Sequence, residues 1–394
     1  MASAQVKHGD IAVGQALPWD IHDSSGAVVL RQGALIASVN QLERMMNRGL
    51  YADERALAQT RMLNARQSTA PASVVATLLY ARRRMALLLE MMESTKLPAD
   101  FQTNIHELVG LVDAACSRDA DIALAFVLLC SEGRYAVQHA INVATVVRLV
   151  ARAMCLPRAE EASLIAAALT MNLTVARLQD DLRLQAGPLT PIQRSMLENH
   201  PADTRRLLET AGVTDTRWLD TVAQHHEHHD GSGYPGHTEG HALSSASQLL
   251  ALADTFCACL VTSAHRPGIT ANVAMRRILL ERGKAFDSGV TRIFHTAIGS
   301  YPPGSLVRLV NGEKGIVTRH GSSPQFPRVA SLIGPHGMPM GTIVHRDTQQ
   351  AIYAVEESID PEQFAGSIDV QPIWGPLADA TGPVIEMNDT ADLA

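Results

Sequence analysis

The sequence contains no run of about eighteen consecutive apolar residues, the length that an α-helix needs to cross a bilayer. Its first residues, MASAQVKH, also lack the basic start and the apolar core of a signal peptide. We therefore predict a cytoplasmic protein that makes no membrane contact.

An excess of basic charge is missing as well. The 394 residues include 33 Lys and Arg against 40 Asp and Glu, which gives a formal net charge of −7. Because binding to nucleic acid relies on clustered positive charge, this balance argues against direct binding to duplex nucleic acid.

Cysteine is scarce, and no two of the five cysteines have the Cys-x-x-Cys spacing that is typical of metal knuckles and redox motifs. Each lies in an apolar stretch, which predicts buried, reduced thiols. These residues are Cys116, Cys130, Cys155, Cys257 and Cys259.

The length favours more than one domain, because 394 residues exceed the size at which a single hydrophobic core usually stops growing. Short apolar runs between Gly and Ser turns, followed by an amphipathic helix, predict a small N-terminal α/β module over residues 1–70. A linker helix follows within residues 71–98 and is a candidate packing or dimer element. Its Arg82-Arg83-Arg84 triplet is interpreted as a solvated face.

Residues 99–300 are predicted to be all α, because their apolar residues recur with the 3.6-residue period of a helix. The predicted helices cover 99–116, 119–132, 136–155, 159–171, 190–211, 215–228, 244–264, 270–282 and 286–299. Short β runs then predict a small β appendage over 301–372, and the loss of apolar pattern predicts a disordered tail over 373–394. The predicted fold class is mainly α, a helical bundle flanked by two small modules.

The most specific local pattern is QHHEHHDGSGYP at residues 224–235. His225 and His226 are adjacent imidazoles at the end of a helical run, and imidazole is a common ligand for divalent metals. Gly231 and Gly233 allow positive φ angles and a close approach of the backbone in the turn that follows. The pattern therefore predicts a metal site beside a tight loop.

This pattern resembles the signature of the HD-GYP family, metal-dependent phosphodiesterases of the HD superfamily that open and hydrolyse the bacterial messenger cyclic di-GMP. The resemblance covers about residues 100–300. It implies an HD-superfamily helical bundle and a site in which divalent metals, Fe or Mn, activate a water molecule. It also implies a role in bacterial signal transduction.

Five positions match the metal ligands of the family: His139, His200, His225, His226 and Asp254. The resemblance further implies that Glu227 and Asp230 orient the ligands or fix the loop. It implies that Gly231, Gly233, Tyr234 and Pro235 form a loop that contacts nucleotide or a partner protein.

The His-Asp pair that names the superfamily is absent. Met171 stands in place of the His, Asn172 in place of the bridging Asp, and Val175 in place of the Lys three residues later. The stretch GPLT at 187–190 keeps the family spacing, which argues against a shifted alignment. A neutral amide cannot supply the bridging charge, and a thioether is too soft for Mn²⁺ or Fe²⁺. Tyr135 replaces the Glu that holds a third metal in some members, so no third metal is expected.

Three functions stay open on these residues. The first is a catalytically impaired family member with reduced or absent metal, which binds cyclic di-GMP, its linear dinucleotide or a signalling protein. The second is an active phosphodiesterase with an altered site, in which the remaining histidines and Asp254 hold one metal. The third is a structural scaffold. A homodimer through the helix at 74–94 is a further hypothesis.

Overall fold

The computed structural model describes residues 3–7, 10–11, 16–36, 39–46, 49–58, 60, 72–94, 97–264, 266–360, 364 and 370–385. The N-terminal module contains an antiparallel four-stranded sheet in the order β1-β4-β2-β3. Its strands are β1 Ser3–Gln5, β2 Ile21–His22, β3 Val28–Leu30 and β4 Tyr51–Asp53, and helix α1 spans Val39–Met46. Ile21, Ile36 and Leu50 are among the residues that form a small core of its own.

The helical bundle follows. Its helices are α2 Val74–Ser94, α3 Phe101–Arg118, α4 Ala120–Leu129, α5 Tyr135–Ala153, α6 Arg158–Thr170, α7 Ala176–Leu184, α8 Pro191–Thr210, α9 Thr216–Gln224, α10 Ser245–Leu260, α11 Ala271–Leu280 and α12 Ser288–Ile298. Helix α5 is buried along most of its length and packs against α6, α10 and α12. All the helices predicted over 99–300 are present, and α7, whose sequence is mostly polar, was not predicted.

Helix α2 belongs to the same hydrophobic core as the bundle, through residues such as Leu78, Met85 and Leu88. The interpretation of the arginine triplet as a solvated face is wrong for Arg82 and Arg84, which are each only 6% exposed, and holds for Arg83, which is exposed. Packing of α2 against α3, α4 and α5 encloses both guanidinium groups. Arg82 donates to the side-chain oxygen of Asn142, and Arg84 pairs with Glu107. The packing role predicted for this helix is therefore observed, and the homodimer stays a prediction.

The prediction that all cysteines are buried is wrong for Cys155, which is exposed, and Cys130 is half-buried. Cys155 follows the last turn of α5 with a φ of 54°. It leaves the core because the chain reverses there before α6. The other three cysteines are buried, as predicted.

The C-terminal appendage is an antiparallel five-stranded sheet in the order β8-β7-β6-β5-β9. Its strands are β5 Leu306–Leu309, β6 Lys314–Arg319, β7 Arg328–Ile333, β8 Pro339–Asp347 and β9 Val355–Ser358. Together with the bundle and the N-terminal module, it confirms the predicted fold class.

The tail predicted to be disordered over 373–394 is instead ordered over residues 373–385. Helix α13, Gln371–Trp374, continues into a 3-10 turn at Gly375–Ala378. The buried indole of Trp374 donates to the carbonyl of Thr318 at 3.0 Å, and the backbone N–H of Ser73 donates to the carbonyl of Pro383. This segment is held by one buried side chain and a few hydrogen bonds at separated positions. It therefore has no periodic apolar pattern that would predict an ordered element. Residues 386–394 lie outside the described residues.

Where the sheet meets the bundle, His320 is held by two acceptors, and this contact yields a pH prediction. Its Nδ1 lies 2.5 Å from Oδ1 of Asp121, and its Nε2 lies 3.1 Å from the carbonyl oxygen of Ile298. Burial by itself lowers the pKa of His320, but the hydrogen bond and charge of Asp121 outweigh burial, so the pKa is raised. Arg319 also faces Asp121 and Asp119.

Because the folded pKa of His320 exceeds the unfolded one, its stabilisation is fully present below the unfolded pKa, about 6.5, and is lost as pH rises through the folded pKa. We expect the free energy of unfolding to fall over this interval in the parent and to fall less in His320→Gln. Denaturant titrations across pH measure this difference. Parallel stability curves for the two proteins would contradict the prediction.

Candidate metal centre

Three histidines converge between the middle of one helix and the end of another. His200 lies within α8, His225 caps the end of α9, and His226 follows it. One ring nitrogen of each lies within 4.8 Å of those of the other two. Among the histidine, cysteine and carboxylate side chains that the structure describes, these three lie close enough together to share a metal ion.

Backbone carbonyls fix the orientation of two of these rings. Nδ1 of His200 lies 2.6 Å from the carbonyl oxygen of Leu197, and Nδ1 of His225 lies 2.7 Å from that of Val222. We therefore assign the proton of each neutral ring to Nδ1, which leaves a lone pair on Nε2. The two Nε2 atoms are 3.2 Å apart. Metal-binding histidines are commonly anchored in this way through their other nitrogen.

Burial keeps these imidazoles neutral. It is the main cause of the lowered pKa of His200 and His225, and it lowers the pKa of His226 to about 3. The neighbouring imidazoles add to this effect for His225 and His226. All three rings are therefore in the form that binds a metal at neutral pH.

The other two predicted ligands contact each other. His139 on α5 and Asp254 on α10 meet through Nε2 and Oδ1 at 2.6 Å, and the Tyr135 hydroxyl lies 3.4 Å from Nδ1 of His139. Burial by itself raises the pKa of Asp254, but the hydrogen bond from His139 and the electrostatic interaction with that imidazole outweigh burial, so the pKa is lowered. The structure thus groups three of the five predicted ligands and pairs the other two.

The substituted positions lie in the turn after α6. The side chain of Met171 is buried in the core, and that of Val175 is buried in a 3-10 turn, Leu173–Val175. Thr174 in the same turn bonds to Thr204 on α8, the helix that carries His200. The side-chain oxygen of Asn172 is buried and has no hydrogen-bond partner among the described residues. These residues supply no negative charge, so this turn lacks a carboxylate that could bridge two metal ions.

The loop after the histidines is fixed by side chains that the motif contains. Glu227 is only 4% exposed and accepts hydrogen bonds from the backbone N–H groups of Gly236 and Thr238. Asp230 accepts from the backbone and the hydroxyl of Ser232 at the exposed tip. The ring of Tyr234 stacks on His226 at 4.7 Å, and the Tyr234–Pro235 peptide is cis. The loop therefore covers one side of the histidine group.

At two positions of the loop, a side chain larger than that of glycine would collide with neighbouring atoms. A Cβ atom on Gly233 would lie 2.3 Å from the backbone nitrogen of His228 and 2.4 Å from the carbonyl oxygen of His226. Gly231 has a φ of +75°, and a Cβ there would lie 2.6 Å from Cγ of Glu239. The first position requires close approach, and the second requires a positive φ as well.

An open pocket of about 510 Å³ adjoins His139 through Tyr135. It is lined by Arg134, Tyr135, Asp180, Arg183, Leu184, Thr262, Ser263 and Ala264. Arg134 is neutralised by Glu93 and Asp180. Nε of Arg183 donates to the carbonyl of Thr262, and no carboxylate of the described chain lies within ion-pair distance of it. Arg183 was not predicted to be a site residue, because a single arginine on a polar helix belongs to no recognisable motif.

Comparisons with known proteins agree with this arrangement. Residues 125–290 match the HD domain family. The chain is 29% identical over 257 residues to the cyclic di-GMP phosphodiesterase PA4108 of Pseudomonas aeruginosa. The aligned region covers 64% of this chain and 61% of that protein. It is 30% identical over 114 residues to the cyclic di-GMP phosphodiesterase response regulator RpfG of Xanthomonas campestris, covering 28% of this chain and 29% of that protein. The chain thus spans less than two thirds of either relative.

A solved structure, that of Bd1817, an HDG"Y"P protein from Bdellovibrio bacteriovorus, superposes with a TM-score of 0.51 at 12% identity. It covers 74% of this chain and 98% of that one, and it establishes the shared fold. Residues 125–290 therefore match the HD domain family in sequence and share the fold of that structure. With the motif at 224–235 and these relatives, this part of the chain is similar to HD-GYP domain proteins. No helix in the described ranges is both long and apolar enough to cross a membrane.

Proposed function

We propose that this protein binds cyclic di-GMP, or its linear dinucleotide, in the cytoplasm as part of bacterial cyclic di-GMP signalling, with strongly reduced hydrolysis. The observation that carries the proposal is the replacement of the His-Asp pair by Met171 and Asn172 beside an otherwise retained set of histidines. HD-domain cyclic di-GMP phosphodiesterases are metal-dependent in general. Such metals polarise the phosphoryl group and supply hydroxide at neutral pH.

The reduced hydrolysis follows from charge and softness at these two positions. Asn172 offers a neutral oxygen where a bridging ligand needs a negative charge, and the thioether of Met171 is buried in the core. Val175 is apolar and buried, so this turn also lacks the cation that lysine would supply to a phosphate. The chain therefore retains histidines that could hold a metal ion, but it lacks the residues that would bridge two metals and help to activate water.

The pocket beside Tyr135 supports nucleotide binding. Its volume of about 510 Å³ lies within the range of small-molecule sites. Arg183 brings a guanidinium group whose charge no described carboxylate neutralises, and guanidinium groups bind phosphates through charge-assisted hydrogen bonds. A signalling protein that contacts the loop at 230–237 fits the same proposal, because Pro235, Gly236 and His237 are exposed there.

Calorimetric titration of the full chain with cyclic di-GMP and with the linear dinucleotide tests the proposal, alongside chromatographic detection of product with Mn²⁺ or Fe²⁺. We expect binding with little product. Turnover as fast as that of an active relative would overturn the proposal in favour of an enzyme with an altered site. Absence of binding to either nucleotide would overturn it in favour of a scaffold.

Removal of the unneutralised guanidinium should weaken nucleotide binding. We expect Arg183→Ala to raise the Kd for cyclic di-GMP by about tenfold or more, since hydrogen bonds to charged groups contribute about 1.5–3 kcal/mol. The matched control is Arg177→Ala, which removes the same charge from an exposed position on α7 that does not line the pocket. Equal effects of the two substitutions in the titration would mean that the charge acts only at long range.

A further inference from the structure

We infer that this protein holds a single metal ion on His200, His225 and His226, and that His139 and Asp254 form a separate hydrogen-bonded pair that does not ligate it. The inference deepens the proposed function, because it rests on the same loss of the bridging carboxylate. It does not depend on nucleotide binding.

The lone pairs of His200 and His225 point toward each other. His200 and His225 each give their Nδ1 proton to a carbonyl of their own helix, so the Nε2 atoms that face each other at 3.2 Å both carry lone pairs. Two lone pairs at this distance repel each other unless a cation lies between or beside them. The ring of His226 lies 4.2 Å from that of His225, between centroids, and supplies a third nitrogen.

Both ring nitrogens of His139 already have hydrogen-bond partners. Nε2 lies 2.6 Å from Asp254, and Nδ1 faces the hydroxyl of Tyr135, whose ring also packs against the imidazole with centroids 5.3 Å apart. The imidazole is 2% exposed and Asp254 is 14% exposed. For His139 to ligate a metal, it must first break a short bond to a carboxylate in a buried place.

A second metal ion would need a nearby negative charge to offset its repulsion from the first ion. Two dications about 3.5–4 Å apart repel each other four times as strongly as two single charges at that distance, and a bridging carboxylate normally offsets this repulsion. Asn172 is neutral, and Asp254 is the one carboxylate among the predicted ligand positions. One ion on three neutral imidazoles avoids this repulsion.

The donor set also selects the kind of metal. Three imidazole nitrogens suit borderline ions such as Zn²⁺, Fe²⁺ and Co²⁺, whereas Mg²⁺ prefers oxygen ligands. A three-histidine site leaves at least one coordination position open to water or to a phosphate oxygen.

Metal loading of the full chain tests the inference without any assay of activity. The chelator-treated protein is dialysed against Co²⁺ alone, and we expect elemental analysis to give one Co²⁺ per chain. The visible absorption of the bound ion then reports its coordination. Two ions per chain, or none, would overturn the inference.

Ligand variants separate the three-histidine site from the alternative that includes the pair. We expect His226→Ala to lower Co²⁺ affinity by about 100-fold or more, because it removes a direct ligand, which costs at least as much as losing an outer-shell partner. We expect His228→Ala, which removes a half-buried imidazole of the same segment that bonds to Ser232, to leave the affinity unchanged. Circular dichroism checks that both variants fold.

His139→Gln and Asp254→Asn are each expected to retain one ion with affinity within about threefold of the parent, which is less than 1 kcal/mol. Loss of the ion in both variants would show that the pair belongs to the ligand set and would overturn the inference. Failure of nucleotide binding, measured separately, would overturn the proposed function and leave the metal count as it stands.

Discussion

Met171→His combined with Asn172→Asp is expected to raise the rate of cyclic di-GMP hydrolysis by about 100-fold or more. The double substitution returns an imidazole and a bridging carboxylate to the turn after α6, beside the helix that carries His200. Metal activation of water contributes several kcal/mol, and each 1.36 kcal/mol off the barrier is about tenfold in rate. Chromatography of the linear dinucleotide, with Mn²⁺ or Fe²⁺ present, measures the change.

The control for this experiment is Met171→Leu with Asn172→Asp, which restores the charge but not the imidazole and keeps the buried position apolar. It should gain less than the full double variant. A parent protein that is already as fast as the double variant would show that other groups replace the missing pair. The same double variant should take up a second Co²⁺, and a count that stays at one would contradict the account of the missing site.

Gly233→Ala is expected to destabilise the helical domain by about 3 kcal/mol, in the range typical of overpacking a closely packed site. Its Cβ would lie 2.3 Å and 2.4 Å from backbone atoms of His228 and His226, and backbone cannot move aside as a flexible side chain can. The displaced segment carries His226 and the Tyr234 ring that stacks on it, so metal affinity should fall too. Denaturant unfolding and metal titration measure the two effects.

Gly187→Ala is the matched control. It also places a Cβ on a loop glycine, but nothing lies within 4 Å of that atom. Its unfolding transition and metal affinity should equal those of the parent. If Gly233→Ala behaves like Gly187→Ala, the loop is not held against the histidines as tightly as these distances indicate.

The sequence alone determined most helices of the bundle and named the residues of the candidate site. Helical periodicity depends on neighbours three and four residues apart, so it is visible in one stretch at a time. The motif at 224–235 and the substitutions at Met171 and Asn172 are local in the same sense. Helix α7 was missed because its sequence is mostly polar.

The tertiary structure decided which of these side chains meet. The hydrogen bond between His139 and Asp254 joins residues 115 positions apart, and that between Arg82 and Asn142 joins residues 60 apart. The sequence indicates that His139 can bind a metal, but only packing determines which atom each ring nitrogen faces. Burial of the arginines and docking of Trp374 have the same origin, because both are set by elements distant in the chain.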